Sequence, residues 1–312
     1  MTDSWNGYPL NGCLFEDTPA AAPTLNAAAL GALPRRVDLR GHCAPVEDQG
    51  QTNSCVANAI VGALELHQRK CGMPPVDLSR LFLYYNARSL SKKENDDCGT
   101  FIHHGMAAVL AYGVCEERMW PFEKAMVTTP PTDACFKNAG SYEAVQFART
   151  PRGEPAMAAL AQGLPVAFGI VLPGECYQVA KETGTVPNPE TIQVQSAASG
   201  HAMLIVGYDL DEKVYFVRNS WGPGWAREGY VNIPFEVMDR HAHPDQFWTI
   251  GAIEQSQGLS MFGPTVKESV ENVISVVQTP EALDKLRMGL RSDLNSRLDN
   301  ARRGFASRLR GE

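Results

Sequence analysis

The sequence predicts an α+β protein whose two packed subdomains leave a cleft between them. Long apolar helical patterns gather in the first half, between Cys55 and Gly113. Short β-branched or aromatic runs separated by Gly, Pro and Asp gather after Pro165. Helices first and strands second, rather than alternation, points to segregated layers and away from a parallel βαβ sheet. The chain has 312 residues, enough to bury a large core as one enzyme-sized unit with appendages.

Residues 1–33 carry an Ala/Pro-rich tract without sustained periodicity and are expected to form an N-terminal extension, an extended or loosely packed arm. Tyr8, Leu10, Cys13 and Phe15 are its candidate anchors. Such an arm is long enough to cross a cleft, as an inhibitory segment or as a leader without a role. The compact domain is expected over 34–254. From Cys55 to Lys70 the apolar residues Val56, Ala57, Ala59, Ile60, Ala63, Leu64 and Leu66 cover most of a helical circumference, the mark of a helix buried on nearly all sides. Gly72 and Pro74 stop it. Ser79 is the candidate N-cap of a second helix, and a third ends at Gly113. The runs "VAFGIVL", "HAMLIVGYD", "KVYFVRNSW", "GYVNIP" and "FWTIGAI" then read as strands. Over 255–312, Thr265 and Glu268 form a capping-box signature, and from Thr279 Leu283, Leu286, Leu290, Leu294, Leu298, Ala301, Phe305 and Leu309 form one apolar helical stripe. Residues 279–312 hold 8 Lys/Arg against 5 Asp/Glu, so the stripe is expected to fold back on the acidic body, with a membrane surface, a partner or a second copy as the alternative cover.

Hydrophobic content of 44%, charged content of 20% and a mean hydropathy of -0.22 are those of a water-soluble protein, and no apolar run approaches the ~18 residues of a membrane span. A formal charge of -7 argues against nucleic acid as a partner, because counterion release needs clustered Lys and Arg. The acidic N-terminus lacks the pattern of a Sec signal, so the expected location is cytoplasmic, with a dedicated export route open. Eight cysteines without a CxxC pair suggest free thiols.

One thiol stands apart. Cys55 opens the buried helix, where unpaired N–H groups and the positive dipole end favour a thiolate. A nucleophile also needs a base, an orienter for that base and donors for an oxyanion. His201, at the start of a strand between Gly200 and Ala202, is the candidate base; Asn219, at the end of the next strand, is the candidate orienter, accepting the imidazole Nδ1–H. Taken singly, these residues read as a buried small hydrophobe, a satisfied strand histidine and a turn residue. Together they form a catalytic constellation.

The motifs "DQGQTNSCVANA", "GHAMLIVGYD" and "RNSWGPGWAREGY", in that order, resemble those of the papain-like cysteine peptidases, with the likeness running from about Pro34 to Glu254. His201 lies 146 positions after Cys55, inside the family's ~130–150-residue window, and Asn219 lies 164 after, somewhat past it. The sequence Thr52-Asn53-Ser54-Cys55-Val56 lacks the cysteine three positions before the nucleophile found in plant and lysosomal members, and the chain is closer to the bacterial branch that includes xylellain. The resemblance implies a two-subdomain fold with the cysteine helix in the helical half. It implies an endopeptidase in which Cys55 is the nucleophile, His201 the base and then acid, and Asn219 the orienter. Gln49 and the Cys55 N–H would form the oxyanion hole, and Trp221 would shield the His201–Asn219 bond. A resting thiolate–imidazolium pair is expected. Gly99 is the expected backbone partner of an extended peptide, and Thr100, Phe101, Gly169 and Ala202 the lining of an apolar specificity pocket.

No cofactor is implied, and no metal site is expected: Cys98, His103 and His104 hold ligand types, but neighbouring helical histidines should diverge by about 100°. His241 and His243 are expected in a solvated loop. Two other functions use the same residues: a peptidyl or acyl transferase, in which an amine takes the place of water, and a regulated cleft-binding module.

Overall fold

The computed structural model describes residues 4–16, 24–25, 33–142, 144–253 and 274–275. The chain opens with a hairpin of β1 (Ser4–Trp5) and β2 (Tyr8–Pro9), paired Ser4 to Pro9 and Trp5 to Tyr8. The turn is Asn6-Gly7, with φ of 51° and 88°, the positive pair that a two-residue hairpin loop requires. Short strands β3 (Thr24–Leu25) and β4 (Arg36–Asp38) follow.

The helical half consists of α1 (Cys55–Lys70), α2 (Arg80–Ser89), α3 (Ile102–Tyr112) and α4 (Asp133–Ala139). All residues of α1 from Cys55 to Gln68 are buried: the helix packs on the sheet on one side and on α2 and α3 on the other. Ser79 caps α2 by accepting the Phe82 N–H at 3.1 Å, and α3 stops at Gly113, where φ is 71°.

The rest runs β5 (Ala144–Arg149), α5 (Glu154–Ala161), β6 (Val166–Leu172), α6 (Gly174–Thr183), β7 (Ser199–Asp209), β8 (Val214–Arg218), β9 (Tyr230–Pro234), α7 (Phe235–His241), β10 (Ala242–Ile253) and β11 (Ile274–Ser275). The sheet order is β11-β3-β5-β10-β6-β7-β8-β9, with β4 added against β7. Pairing is antiparallel except between β3 and β5. All five runs read as strands from the sequence are strands. The central strands β6, β7 and β8 are buried almost throughout, which is why they read as continuous apolar runs and not as alternating ones.

Two expectations change. The arm is not loosely packed over residues 4–16: Trp5, Leu10 and Cys13 are buried against the body. His241 and His243 do not sit in a solvated loop, since His241 closes α7 and His243 lies in β10 beside Pro244. That proline lacks an N–H, and the register of β10 against β6 is interrupted between Ala242 and Phe247. Among the described residues no helix is long and apolar enough to cross a membrane. The amphipathic tail read over 279–312 lies outside the described residues.

Candidate active site

Cys55 is the first residue of α1 and is fully buried. Ser54, in the N-cap position, does not cap: its hydroxyl is engaged by Thr52 Oγ1 at 2.7 Å and by the Asn58 side-chain amide at 3.0 Å. The first turn carries no acidic residue either. Its N–H groups are therefore left for the sulfur, and those of Cys55 and Val56 pull the thiol's pKa down. A third donor comes from the sheet, where the Ala202 N–H reaches Cys55 Sγ at 3.4 Å.

That contact brings β7 to the helix end and His201 with it. His201 Nε2 and Asn219 Oδ1 are 2.8 Å apart. Asn219 thus engages Nε2 and not Nδ1, because the orienter stands on the chain leaving β8, on the far side of the ring. An amide oxygen only accepts, so the proton sits on Nε2 and Nδ1 keeps its lone pair. No described residue hydrogen-bonds to Nδ1, which is the atom a base must keep free. Trp221 stacks on the imidazole at 5.0 Å and 29°, and Tyr177 and Trp225 meet the Trp221 ring edge-on at 5.0 Å and 5.2 Å. The His201–Asn219 bond is roofed by aromatic carbon, where an N–H···O bond does not compete with water.

Gln49 is fully buried and opens a tight turn, its carbonyl accepting the Thr52 N–H at 3.2 Å. Its Oε1 accepts the Ser220 hydroxyl at 2.5 Å and its Nε2 donates to the Thr52 carbonyl at 2.8 Å. The amide orientation is fixed, and one of its two N–H groups remains uncommitted. Gln49 N–H also donates to the Ser220 carbonyl at 2.8 Å, which ties this segment to the one carrying Asn219 and Trp221. Ser220 is the positioning residue that the sequence did not reveal.

The arm crosses this constellation. Trp5 and Tyr8 stack on Trp221 at 5.2 Å and 5.1 Å, and the Tyr8 hydroxyl donates to Asp48 Oδ2 at 3.2 Å. Gly12 passes over the nucleophile so closely that a Cβ there would sit 2.7 Å from Cys55 Sγ and 2.7 Å from the Asn53 carbonyl oxygen. The backbone then pairs on both sides of the cleft. Thr100 N–H donates to Gly12 O at 3.0 Å, Leu14 N–H to Thr100 O at 3.0 Å, and Cys13 N–H to Gly200 O at 3.1 Å.

Burial acts on both titrating groups. Loss of solvent pushes the Cys55 thiol up to about 12, against the backbone donors, and pushes His201 down to about 4, against the bond from Asn219. Burial thus opposes both charges of the expected thiolate–imidazolium pair.

The candidate subsite residues divide. Thr100, not Gly99, supplies the N–H and C=O that pair with an extended chain, since the Gly99 N–H is taken by the Tyr84 hydroxyl at 2.9 Å. Gly99 instead gives clearance: a Cβ there would meet Gly12 O at 2.6 Å, and its φ is 79°. Gly169 faces Phe15 and Cys13. Ala202 contributes its N–H to the thiol, as above. Phe101 packs on His103 and His104 at 5.4 Å and 5.0 Å. Two residues not foreseen complete the seat of Phe15. Gly200 lies against its ring, and His243 stacks on it at 5.2 Å and 9°.

Residues 33–242 match the papain family of cysteine proteases, and the chain belongs to that family. It is a cysteine-type peptidase by class. Particular relatives agree. An uncharacterized peptidase C1-like protein of Acanthamoeba polyphaga mimivirus is 33% identical over 65% of this chain and 68% of its own length. Cathepsin K of Gallus gallus is 32% identical over 64% and 58%. The chain thus spans about three fifths to two thirds of these curated relatives. Among solved structures, xylellain, a cysteine protease from Xylella fastidiosa, is 28% identical with a TM-score of 0.69, covering 78% of this chain and 96% of that one. A digestive procathepsin L of Tenebrio molitor, at 20% identity and a TM-score of 0.59 over 78% and 77%, shares the fold.

Proposed function

We propose that this protein is a cysteine endopeptidase that is held closed by its own N-terminal arm. Once the arm leaves, an extended peptide pairs with Thr100 and Gly200 and places a carbonyl over Cys55. His201 Nδ1 takes the thiol proton, Sγ adds to the carbonyl carbon, and the negative oxygen is held by the Gln49 side chain and the Cys55 N–H. The imidazolium then gives its proton to the leaving amine, and water, deprotonated by the same nitrogen, cleaves the thioester and regenerates the thiol. Asn219 keeps the ring's face and tautomer through both steps. The pocket that seats Phe15 between Gly169, Gly200 and His243 takes the apolar or aromatic side chain of the substrate.

The observation that carries this reading is the convergence of an uncapped helix start, the Ala202 N–H and the His201–Asn219 pair on one buried sulfur. The arm is bound as a block and not as a substrate. The Gly12 carbonyl accepts from Thr100 N–H, and the Gln49 side-chain amide donates to Thr52 instead. Substituting Cys55→Ala should abolish hydrolysis of a peptide substrate while leaving the circular dichroism spectrum unchanged, and surviving turnover would defeat the assignment. For the tail we propose docking on a partner or a second copy, supported by its apolar stripe. A chain ending before Thr279 that keeps the elution volume per mass of the full chain would count against it.

A further inference from the structure

The mechanism leaves one cluster of ligand-type side chains unused, at the far end of the arm. Glu16 Oε1 is 3.0 Å from His103 Nε2 and 4.0 Å from His104 Nε2. One ligand atom from each of the three residues falls within 4.8 Å of the others. The two imidazoles lie 4.6 Å apart at 69°, so these neighbouring histidines converge where divergence was expected. They sit in the first turn of α3, packed side by side against Phe101, which turns both rings toward the arm. One carboxylate oxygen satisfies one imidazole by a hydrogen bond, and the second ring at 4.0 Å is beyond that reach. A divalent cation uses all three.

We propose that Glu16, His103 and His104 form a Zn²⁺ site shared between the arm and the peptidase body, so that binding of the metal holds the arm in the cleft. Two imidazoles and a carboxylate are a donor set that suits zinc, with water as fourth ligand. Zinc bonds of ~2.1 Å put tetrahedral ligand atoms about 3.4 Å apart, so the separations of 3.0 Å and 4.0 Å from Glu16 change by about 0.4 and about 0.6 Å, and the two imidazole nitrogens, within 4.8 Å of each other, close toward the same spacing. The Glu16 side chain is 47% exposed, which gives the ion and its water access. The Gln246 side-chain amide donates to the Glu16 carbonyl at 3.2 Å and fixes the backbone of the arm ligand. Neither Nδ1 has a partner among the described residues. A missing outer-shell acceptor costs roughly 10–100-fold in affinity. Because one ligand belongs to the arm and two to the body, release of the arm dismantles the site. Metal binding and arm closure are then linked by mass action.

The latch, though not the site, rests on the inhibitory reading of the arm. The test has two parts on the full chain. In Cys55→Ala protein, titration with Co²⁺ should give visible d–d absorption that saturates at one ion per chain and is displaced by Zn²⁺. His103→Gln, His104→Gln and the exposed arm substitution Glu16→Gln should each weaken it at least tenfold. No saturable binding, or binding undiminished in all three variants, overturns the site. In protein with Cys55 intact, Zn²⁺ at ten times its dissociation constant should slow alkylation of Cys55 about tenfold, and Glu16→Gln should remove the effect. Slowing that persists in Glu16→Gln shows zinc on the thiol itself and overturns the latch, as does site-specific binding that leaves the alkylation rate unchanged.

Discussion

Replacing Gly12 by alanine should open the cleft. Gly12 is outside the positive-φ residues, so alanine fits its backbone, and the effect is purely one of space. The added methyl carbon would lie 2.7 Å from Cys55 Sγ and 2.7 Å from Asn53 O, where ordinary contact begins near 3.4 Å. Neither neighbour gives way. Sγ is held at the start of a fully buried helix, and Asn53 is clamped by Asp97, its backbone N–H donating to Oδ1 at 3.0 Å and its side-chain amide to the Asp97 carbonyl at 2.7 Å. The arm must move, and overpacking of this kind costs ~1–3 kcal/mol. At about 1.4 kcal/mol per tenfold, the open fraction rises roughly 5- to 150-fold. The assay is the rate of carboxamidomethylation of Cys55 by iodoacetamide, followed by mass spectrometry of its peptide, with half-buried Cys98 in the same chain as internal reference. If opening precedes alkylation, the Cys55 rate should rise by that factor while Cys98 is unchanged. A Cys55 rate within about twofold of the parent would refute the placement of Gly12 over the thiol, since contacts this short have no cost-free accommodation.

Other outcomes follow from the same geometry. Asn219→Ala should reduce kcat of the open enzyme without abolishing it, because the amide orients Nε2 and exchanges no proton; loss as complete as in Cys55→Ala, in a folded protein, would contradict that role. Trp5→Ala removes a stacked indole worth ~0.5–1.5 kcal/mol beyond its buried area and should raise the initial hydrolysis rate of the full chain at least severalfold, read on a fluorogenic peptide. Stability should fall on acidification between pH 6.5 and about 4. Burial holds His67, His104 and His201 at about 4, so the unfolded chain takes up protons there that the folded chain does not. Each contributes up to roughly 3 kcal/mol. Glu65, raised to about 7 by burial, is protonated in the folded state over that window and offsets one of them. Urea midpoints at pH 7 and pH 4.5 measure the net, and equal midpoints would contradict it. His243→Ala should weaken selection for an aromatic side chain in the pocket that seats Phe15, in a library varied at the second position before the cleaved bond, whereas Phe101→Ala should leave it unchanged.

Much of this was legible in the sequence because the site sits on regular elements. The all-round apolar pattern after Cys55 meant a helix packed on two sides, and the continuous runs at 166–172 and 199–209 meant strands covered on both faces. Gln49 was readable only through resemblance, since an amide in a turn has no periodicity. What the pattern hid was tertiary. His243 is a loop residue by composition until β10 carries it past the Pro244 irregularity to Phe15. His103 and His104 diverge on an ideal helix, and only packing on Phe101 turns them to one carboxylate. The hairpin at the start of the arm was available, since Asn6-Gly7 between Trp5 and Tyr8 is a strong two-residue turn signal, and the Ala/Pro tract behind it drew the reading toward looseness.

The central claim is that one thiol of eight does the chemistry, at the site the arm covers. Treatment of the full chain with a peptidyl epoxide, followed by peptide mapping, tests it most directly. A single adduct on Cys55, formed in step with loss of peptide hydrolysis and faster in Gly12→Ala, is the result expected. Loss of hydrolysis with Cys55 unmodified, or an adduct at any of the other seven cysteines in its place, would contradict the account.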